Sequence, residues 1–292
     1  MNNLREIKSR LRSLRKNEQI LHAMKMVSAV KLRRIQAVVQ GSLPYAGRLE
    51  TLFHELLEQP DVRELRHPFL LSRPAQRGLW VVLSTDRGLC GSLNTSLFRY
   101  IQKALRERAD TGVREVSLLL IGRKAGDFFK RMQVAPAAGF RIEQAYPLEE
   151  AQADALARQL CEWFRKGRFD NVDVFYARCK SQLQQIPTRV ALLPIAPAER
   201  PAGGGIKHER LFEPQPAAMV DYLVPRYIIS RFRQLMLAEQ VSEHSARMVM
   251  MDQASKSSFD MIGEIQLDLN KLRQVMITLE LADITTGVEA MA

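Results

Sequence analysis

Aromatic residues are absent from the first 44 positions of this 292-residue chain, and no proline occurs before Pro44. The first absence removes the stacking platform on which single-stranded nucleic acid is gripped. The second leaves a long helix uninterrupted. Cysteine is scarce: Cys90, Cys161 and Cys179 are the three, and no two stand in a CxxC pair. That excludes a disulfide framework and a thiolate zinc site, and it points to a reducing compartment. The five histidines (His22, His54, His67, His208 and His244) show no metal spacing, and none lies between His67 and His208 to serve Cys90 as a base. No apolar run approaches the roughly 20 residues of a membrane span. No apolar stretch follows Asn3 as in a signal peptide. The start is Arg-rich and poor in acids, as transit peptides are, but the pattern runs on into a regular helix. A mature cytoplasmic start is therefore expected.

What is present is unevenly distributed. The net charge is +11, yet residues 1–40 hold ten Lys/Arg against Glu6 and Glu18, whereas residues 226–292 hold seven against nine Asp/Glu. Such asymmetry suggests an acidic partner for the N-terminal segment. Nucleic acid, an anionic membrane surface and an acidic protein surface all fit, and so does a solvated helix face. Without aromatics, a nucleic-acid arm would have to grip by shape alone.

Three blocks emerge along the chain. Residues 1–58 read as one helix: Leu4, Ile7, Leu11 and Leu14 recur at the spacing of a helical face. The stripe resumes, shifted in phase, at Ile20, Met24 and Val27, and Leu49, Leu52, Phe53, Leu56 and Leu57 carry it past a kink at Pro44. Residues 75–215 alternate strand and helix. "LWVVLS" (Leu79–Ser84), "EVSLLLIG" (Glu115–Gly122) and "NVDVFYARC" (Asn171–Cys179) are buried-strand candidates, with "RVALLPI" a fourth. This alternation predicts an α/β domain with a largely parallel sheet. Residues 222–292 contain no proline after Pro225, and Met261, Ile265, Leu269, Leu272, Met276 and Leu279 follow a coiled-coil seam. Two stripes at opposite ends of the chain are most simply buried against each other. The expected architecture is a Rossmann-like α/β domain inserted between long terminal helices that form an antiparallel, left-handed coiled coil.

Motifs for chemistry are weak. "STDRGLCGSLN" (Ser84–Asn94) sits where a strand meets a helix, the usual ligand position of such sheets. Its glycines, Gly88 and Gly91, fit neither GxGxxG nor a P-loop, so a tight structural turn is the better reading. Cys90 is a candidate nucleophile there, because a helix N-terminus lowers a thiol pKa. Asp86, Arg87, Asp170 and Asp173 stand near strand ends without a partner at fixed spacing. The methionines of the terminal helices, among them Met24, Met26, Met236, Met248, Met250, Met251, Met261 and Met276, read as adaptable coil packing.

Together these segments resemble the gamma-subunit family of F-type ATP synthase. "AMKMVSAVKLRRIQ" resembles its N-terminal helix signature and "STDRGLCGSLNTSLF" its most recognisable internal motif. "GRKAGDFF", "LFEPQP", "LVPRYI", "SEHSARMVMMDQAS" and "LNKLRQVMITLE" follow in the family's order and cover nearly the whole chain. The resemblance implies a central rotor shaft that couples ion flow through a membrane ring to conformational cycling of catalytic beta subunits. Alpha and beta subunits (an alpha3beta3 hexamer), an epsilon subunit and the c-subunit ring are the implied partners, and nucleic acid is not. Chemistry would take place on alpha and beta, so no catalytic, cofactor-binding or metal residue is expected here. The chain would reach the membrane only through the complex, on the cytoplasmic face of a bacterial inner membrane.

Residue by residue, the resemblance implies that Met24 and Lys25 face an acidic loop of the beta subunit, with Lys31, Arg33 and Arg34 extending that face. Arg273 and Gln274 match positions that hydrogen-bond a beta "catch" loop, Thr278 and Glu280 match two further positions there, and Glu213 lies near the c-ring contact. The chain departs from the family at "KNEQ" (Lys16–Gln19), at Leu279 and at the tip "GVEAMA", where Glu289 puts a charge in a normally apolar segment.

Overall fold

The computed structural model of the chain describes residues 2–59, 62, 67–71, 73–74, 76–107, 115–132, 141–144, 146–195 and 215–289. Its elements are α1 (Asn2–Leu57), β1 (Arg77–Leu83), α2 (Leu93–Glu107), β2 (Glu115–Ile121), α3 (Arg123–Arg131), β3 (Arg141–Gln144), α4 (Glu150–Arg165), β4 (Asn171–Cys179), β5 (Gln185–Leu193) and α5 (Pro216–Glu289). They fall into two compact units, Lys31–Ala246 and Met1–Val30 with Arg247–Ala292.

The larger unit is built on a five-stranded sheet in the order β3-β2-β1-β4-β5. β1, β2, β3 and β4 are parallel, and β5 returns antiparallel on β4. Both faces are covered, which is why the central strands read as unbroken apolar runs. Trp80, Val82, Leu118, Leu120 and Phe175 pack one face against Leu97, Phe98 and Ile101 of α2 and Phe129 of α3. Leu79, Val81, Leu119, Val172 and Val174 pack the other against Leu156, Leu160 and Phe164 of α4 and the buried stripe of α5. The helices change face where strand order reverses, between β1 and β4, as right-handed crossovers require. β3 was not anticipated: it has four residues and one apolar side chain, too little for a pattern to register.

α5 begins at Pro216 and runs through Pro225, six residues earlier than the expected start at 222. A proline inside a helix costs roughly 3 kcal/mol. Val220, Leu223, Val224 and Ile228, all buried around it, contribute about 1.5–3 kcal/mol each, so the helix continues. α1 likewise continues through Pro44. Within this unit Phe53 of α1 stacks on Tyr227 of α5, ring centroids 4.5 Å apart. Arg233 of α5 reaches Asp154 and Glu150 of α4, its Nη2 2.5 Å from Asp154 Oδ2.

The second unit is an antiparallel helix pair. Lys25 Nζ meets Asp252 Oδ1 at 2.5 Å and Ser255 Oγ donates to Glu18 Oε1 at 3.1 Å, so number falls on one helix as it rises on the other. Exposure corrects both predicted seams. On α1 the inward positions are Leu4, Ile7, Leu11, Leu14, Glu18, Leu21, Lys25 and Ser28, an unbroken heptad, whereas Ile20 and Val27 point outward. The apparent phase shift arose because polar residues occupy seam positions and hide the period. On α5 the seam runs Met251, Ser255, Ser258, Ile262, Ile265, Leu269, Leu272 and Met276; Met261 and Leu279 lie outside it.

Candidate functional site

In an open α/β sheet ligands bind beyond the carboxyl ends of the strands, where strand order reverses. Here that place is the loop Ser84–Ser92 between β1 and α2, beside the ends of β2 and β4. Its polar groups are turned inward. Ser84 N–H donates to Ile121 O at 2.9 Å, and Ser84 Oγ accepts the Ala125 N–H at 3.1 Å. Asp86 Oδ1 accepts the Arg123 N–H at 2.9 Å and the Tyr146 N–H at 3.3 Å. Lys124 N–H goes to Thr85 O at 3.1 Å. The first three amide donors of α3, those that would cradle an anion, are therefore bound by β1 and its loop.

The α2 side is knitted in the same way. Asn94 Oδ1 accepts the Thr85 N–H at 3.3 Å, and Asn94 Nδ2 donates to Thr85 Oγ1 at 2.7 Å and Cys90 Sγ at 3.4 Å. Leu89 and Gly91 take left-handed backbone angles (φ 63° and 62°) to close the turn. Gly122, at φ 97°, lies so close to β1 that a Cβ would stand 2.1 Å from Ser84 O. Only glycine permits that approach.

The crevice itself is filled from within. Cys90 and Leu93 pack against Ala177 of β4 and Ala246 of α5. Glu239 of α5 is fully buried, and its Oε2 accepts the Ala177 N–H at 2.7 Å. Sequence reasoning missed Glu239; its one signal was an acid inside the apolar run "LMLAEQV". Cys90 is buried, so the thiol singled out as a nucleophile is closed off from a substrate. Cys161 is buried too, and burial pushes its thiol up to about 12.

The scattered carboxylates bind structure. Asp170 accepts the Arg77 N–H at 2.8 Å and its guanidinium at 3.2 Å. Burial raises its pKa, but these bonds and the Arg77 charge outweigh that and hold it below the usual range. Asp173 is pushed up by burial despite Arg189 Nη2 at 2.9 Å. Asp170 precedes β4 and Asp173 lies near its start, the amino ends of the parallel strands, away from the crevice. Among the described residues no cluster of His, Cys, Asp and Glu could hold a metal ion.

The ATP synthase family model matches residues 3–291. The ATP synthase gamma chain of Moorella thermoacetica is 37% identical over 292 residues, covering all of both chains. The chain belongs to the gamma-chain family of ATP synthase. The gamma chain of Pelotomaculum thermopropionicum is 35% identical over 296 residues, again covering all of both. Among solved structures, a chain of the Euglena gracilis mitochondrial ATP synthase (OSCP/F1/c-ring, rotational state 3) is similar in fold, with TM-score 0.68 at 19% identity, covering 99% of this chain and 95% of that one.

The positions that the gamma-family resemblance singled out divide between two settings. Met24 and Lys25 are half-buried on the inward side of α1, and Lys25 is engaged by Asp252. Arg273, Gln274, Thr278 and Glu280 are exposed on α5. The Thr278 hydroxyl donates to Gln274 O at 2.9 Å, back onto its own helix. Glu213 lies outside the described residues, as does the side chain of Glu289. Among the described residues no helix is long and apolar enough to cross a membrane.

Proposed function

We propose that this gamma chain is the central shaft of a rotary ATP synthase. Its helix pair turns inside the catalytic ring of alpha and beta subunits. Its α/β unit, within residues 75–215, serves as the platform toward the epsilon subunit and the c-subunit ring. It is a non-catalytic stalk subunit, with hydrolysis and synthesis carried out on its partners. It has no catalytic residues of its own, and it meets the cytoplasmic face of a bacterial inner membrane only through the complex.

The observation that carries this reading is the outward face of α5. Phe259, Leu267, Val275, Ile277, Leu281 and Ile284 are large apolar side chains left more than half exposed on the helix pair. Apolar side chains in this number along one helix mark a surface that a partner covers. A rod that contacts equivalent subunits differently biases each toward a different state by its differential contact energy, and turning it moves the bias. Met24, Lys25, Arg273, Gln274, Thr278 and Glu280 are the proposed beta contacts, and Glu213 the proposed c-ring contact.

Reconstitution with alpha and beta subunits tests the reading. ATPase activity should depend on this chain, which alone should hydrolyse nothing. Full activity of the alpha-beta assembly without it, or hydrolysis by the isolated chain, would overturn it.

A further inference from the structure

The parallel ladder between β1 and β4 ends at Val82 and Phe175, because β1 turns away at Ser84 toward α2. The N–H of Ala177, two residues further along β4, is thereby left without a β1 partner. Glu239 supplies the acceptor from α5 at 2.7 Å, and its own Oε1 has no hydrogen-bond partner among the described residues. The carboxyl is fully buried, and Ala177, whose N–H it holds, packs in an apolar cluster with Cys90, Leu93 and Ala246. An ionised carboxylate in such a place leaves one charged oxygen unsolvated, whereas the neutral acid fits with a single acceptor bond.

We propose that Glu239 is a positioning residue, a proton-linked latch whose neutral carboxyl seats α5 in the crevice at the carboxyl end of the sheet. The groups facing it all bear on its charge. Glu243, one turn along α5, opposes a second negative charge. Tyr176 on β4 is raised by burial and by Glu239, and lowered by Arg178 and Arg231. The Cys90 thiol, from the β1–α2 loop, packs in the cluster that holds Ala177. Burial, the weaker pull of the Ala177 N–H and the Glu243 charge together leave the Glu239 carboxyl at about 8, against an ordinary 4.5.

The sign follows from linkage. The seated state holds the proton and the released state gives it up. Seating is therefore complete below the ordinary value and weakens as pH rises toward the folded value. The released fraction grows by up to about tenfold per pH unit across that window and levels off above it. The latch belongs to the α/β unit and stands independently of the shaft reading.

Hydrogen exchange at the Ala177 amide of the full-length chain, between pH 6 and 9, tests it, with intrinsic rates taken from the urea-unfolded chain. Wild type should gain on the order of a hundredfold beyond the intrinsic rise between pH 6 and 8, then flatten. Glu239→Gln should follow the intrinsic slope alone, and alkylation of Cys90, mapped by peptide, should repeat the contrast. An intrinsic slope in wild type would overturn the latch. So would an equal excess at Val81 in the centre of β1, which would signal global opening. Should Glu239→Gln fail to fold, the wild-type profile at Ala177 and Val81 decides.

Discussion

Lys25 and Asp252 face each other across the helix pair at 2.5 Å, Lys25 from a seam position that the heptad reserves for an apolar side chain and Asp252 from beside the seam residue Met251. Lys256 Nζ stands 3.0 Å from the other Asp252 oxygen, one turn along. A charged pair at a seam position fixes register more than it adds stability. Reversing either charge alone, Lys25→Asp or Asp252→Lys, should lower the melting midpoint of the helix pair by a few degrees, and combining the two should restore most of it. The Lys25 hydrogen bond, then that of Lys256, holds the Asp252 carboxyl below its ordinary 3.8. Its contribution is therefore present above that value and is lost as pH falls through the lower, folded one. Circular dichroism melts of the three variants at pH 7 and pH 3 check both statements.

Gly122→Ala should be among the most damaging single substitutions in the chain. The added methyl would have to stand where Ser84 O already is, at 2.1 Å, on a backbone angle that L-residues rarely adopt. Moving that carbonyl would also disturb Ser84 Oγ, which holds the Ala125 N–H at the start of α3. A loss of at least about 3 kcal/mol follows from strain plus a buried unsatisfied donor. Urea titration measures it.

Much of this was legible beforehand, for identifiable reasons. β1 and β2 announced themselves because burial on both faces makes "LWVVL" and "LLLI" continuous apolar runs. The helix pair was legible as a class but not in register. Glu18, Lys25 and Ser28 take seam positions on α1, so exposed Ile20 and Val27 looked like the stripe. Periodicity sees apolarity, whereas the seam here is partly a polar contract with Ser255 and Asp252. Glu239 was hidden for the opposite reason. Its role depends on where β1 leaves β4, a fact of topology that no local pattern contains.

Cys90→Ser should leave ATP-driven turnover of the reconstituted complex unchanged. The sulfur is buried and accepts from Asn94 Nδ2 at 3.4 Å, beside α3 amides that the β1–α2 loop already binds. A hydroxyl there is polar in an apolar cluster with Leu93, Ala177 and Ala246, so a stability loss of roughly 1–2 kcal/mol is expected. Loss of turnover in a variant that still melts within a few degrees of wild type would revive a chemical role for the thiol.

Arg273→Glu separates contact from packing on the same helix turn. Leu272 is half-buried in the seam of α5, and Arg273 beside it is exposed. Leu272→Ala should lower the melting midpoint of the isolated chain by removing buried surface. Arg273→Glu should leave it within a degree or two, since surface changes away from caps and cores are usually small. In the reconstituted complex the order reverses: Arg273→Glu should cut ATP-driven turnover several-fold by placing like charge against the beta-subunit acceptor proposed for this position. Steady-state ATPase and coupled ion pumping, measured on both variants, decide the matter. Wild-type coupling in Arg273→Glu would remove this position from the proposed beta contacts while leaving the helix pair and its seam untouched.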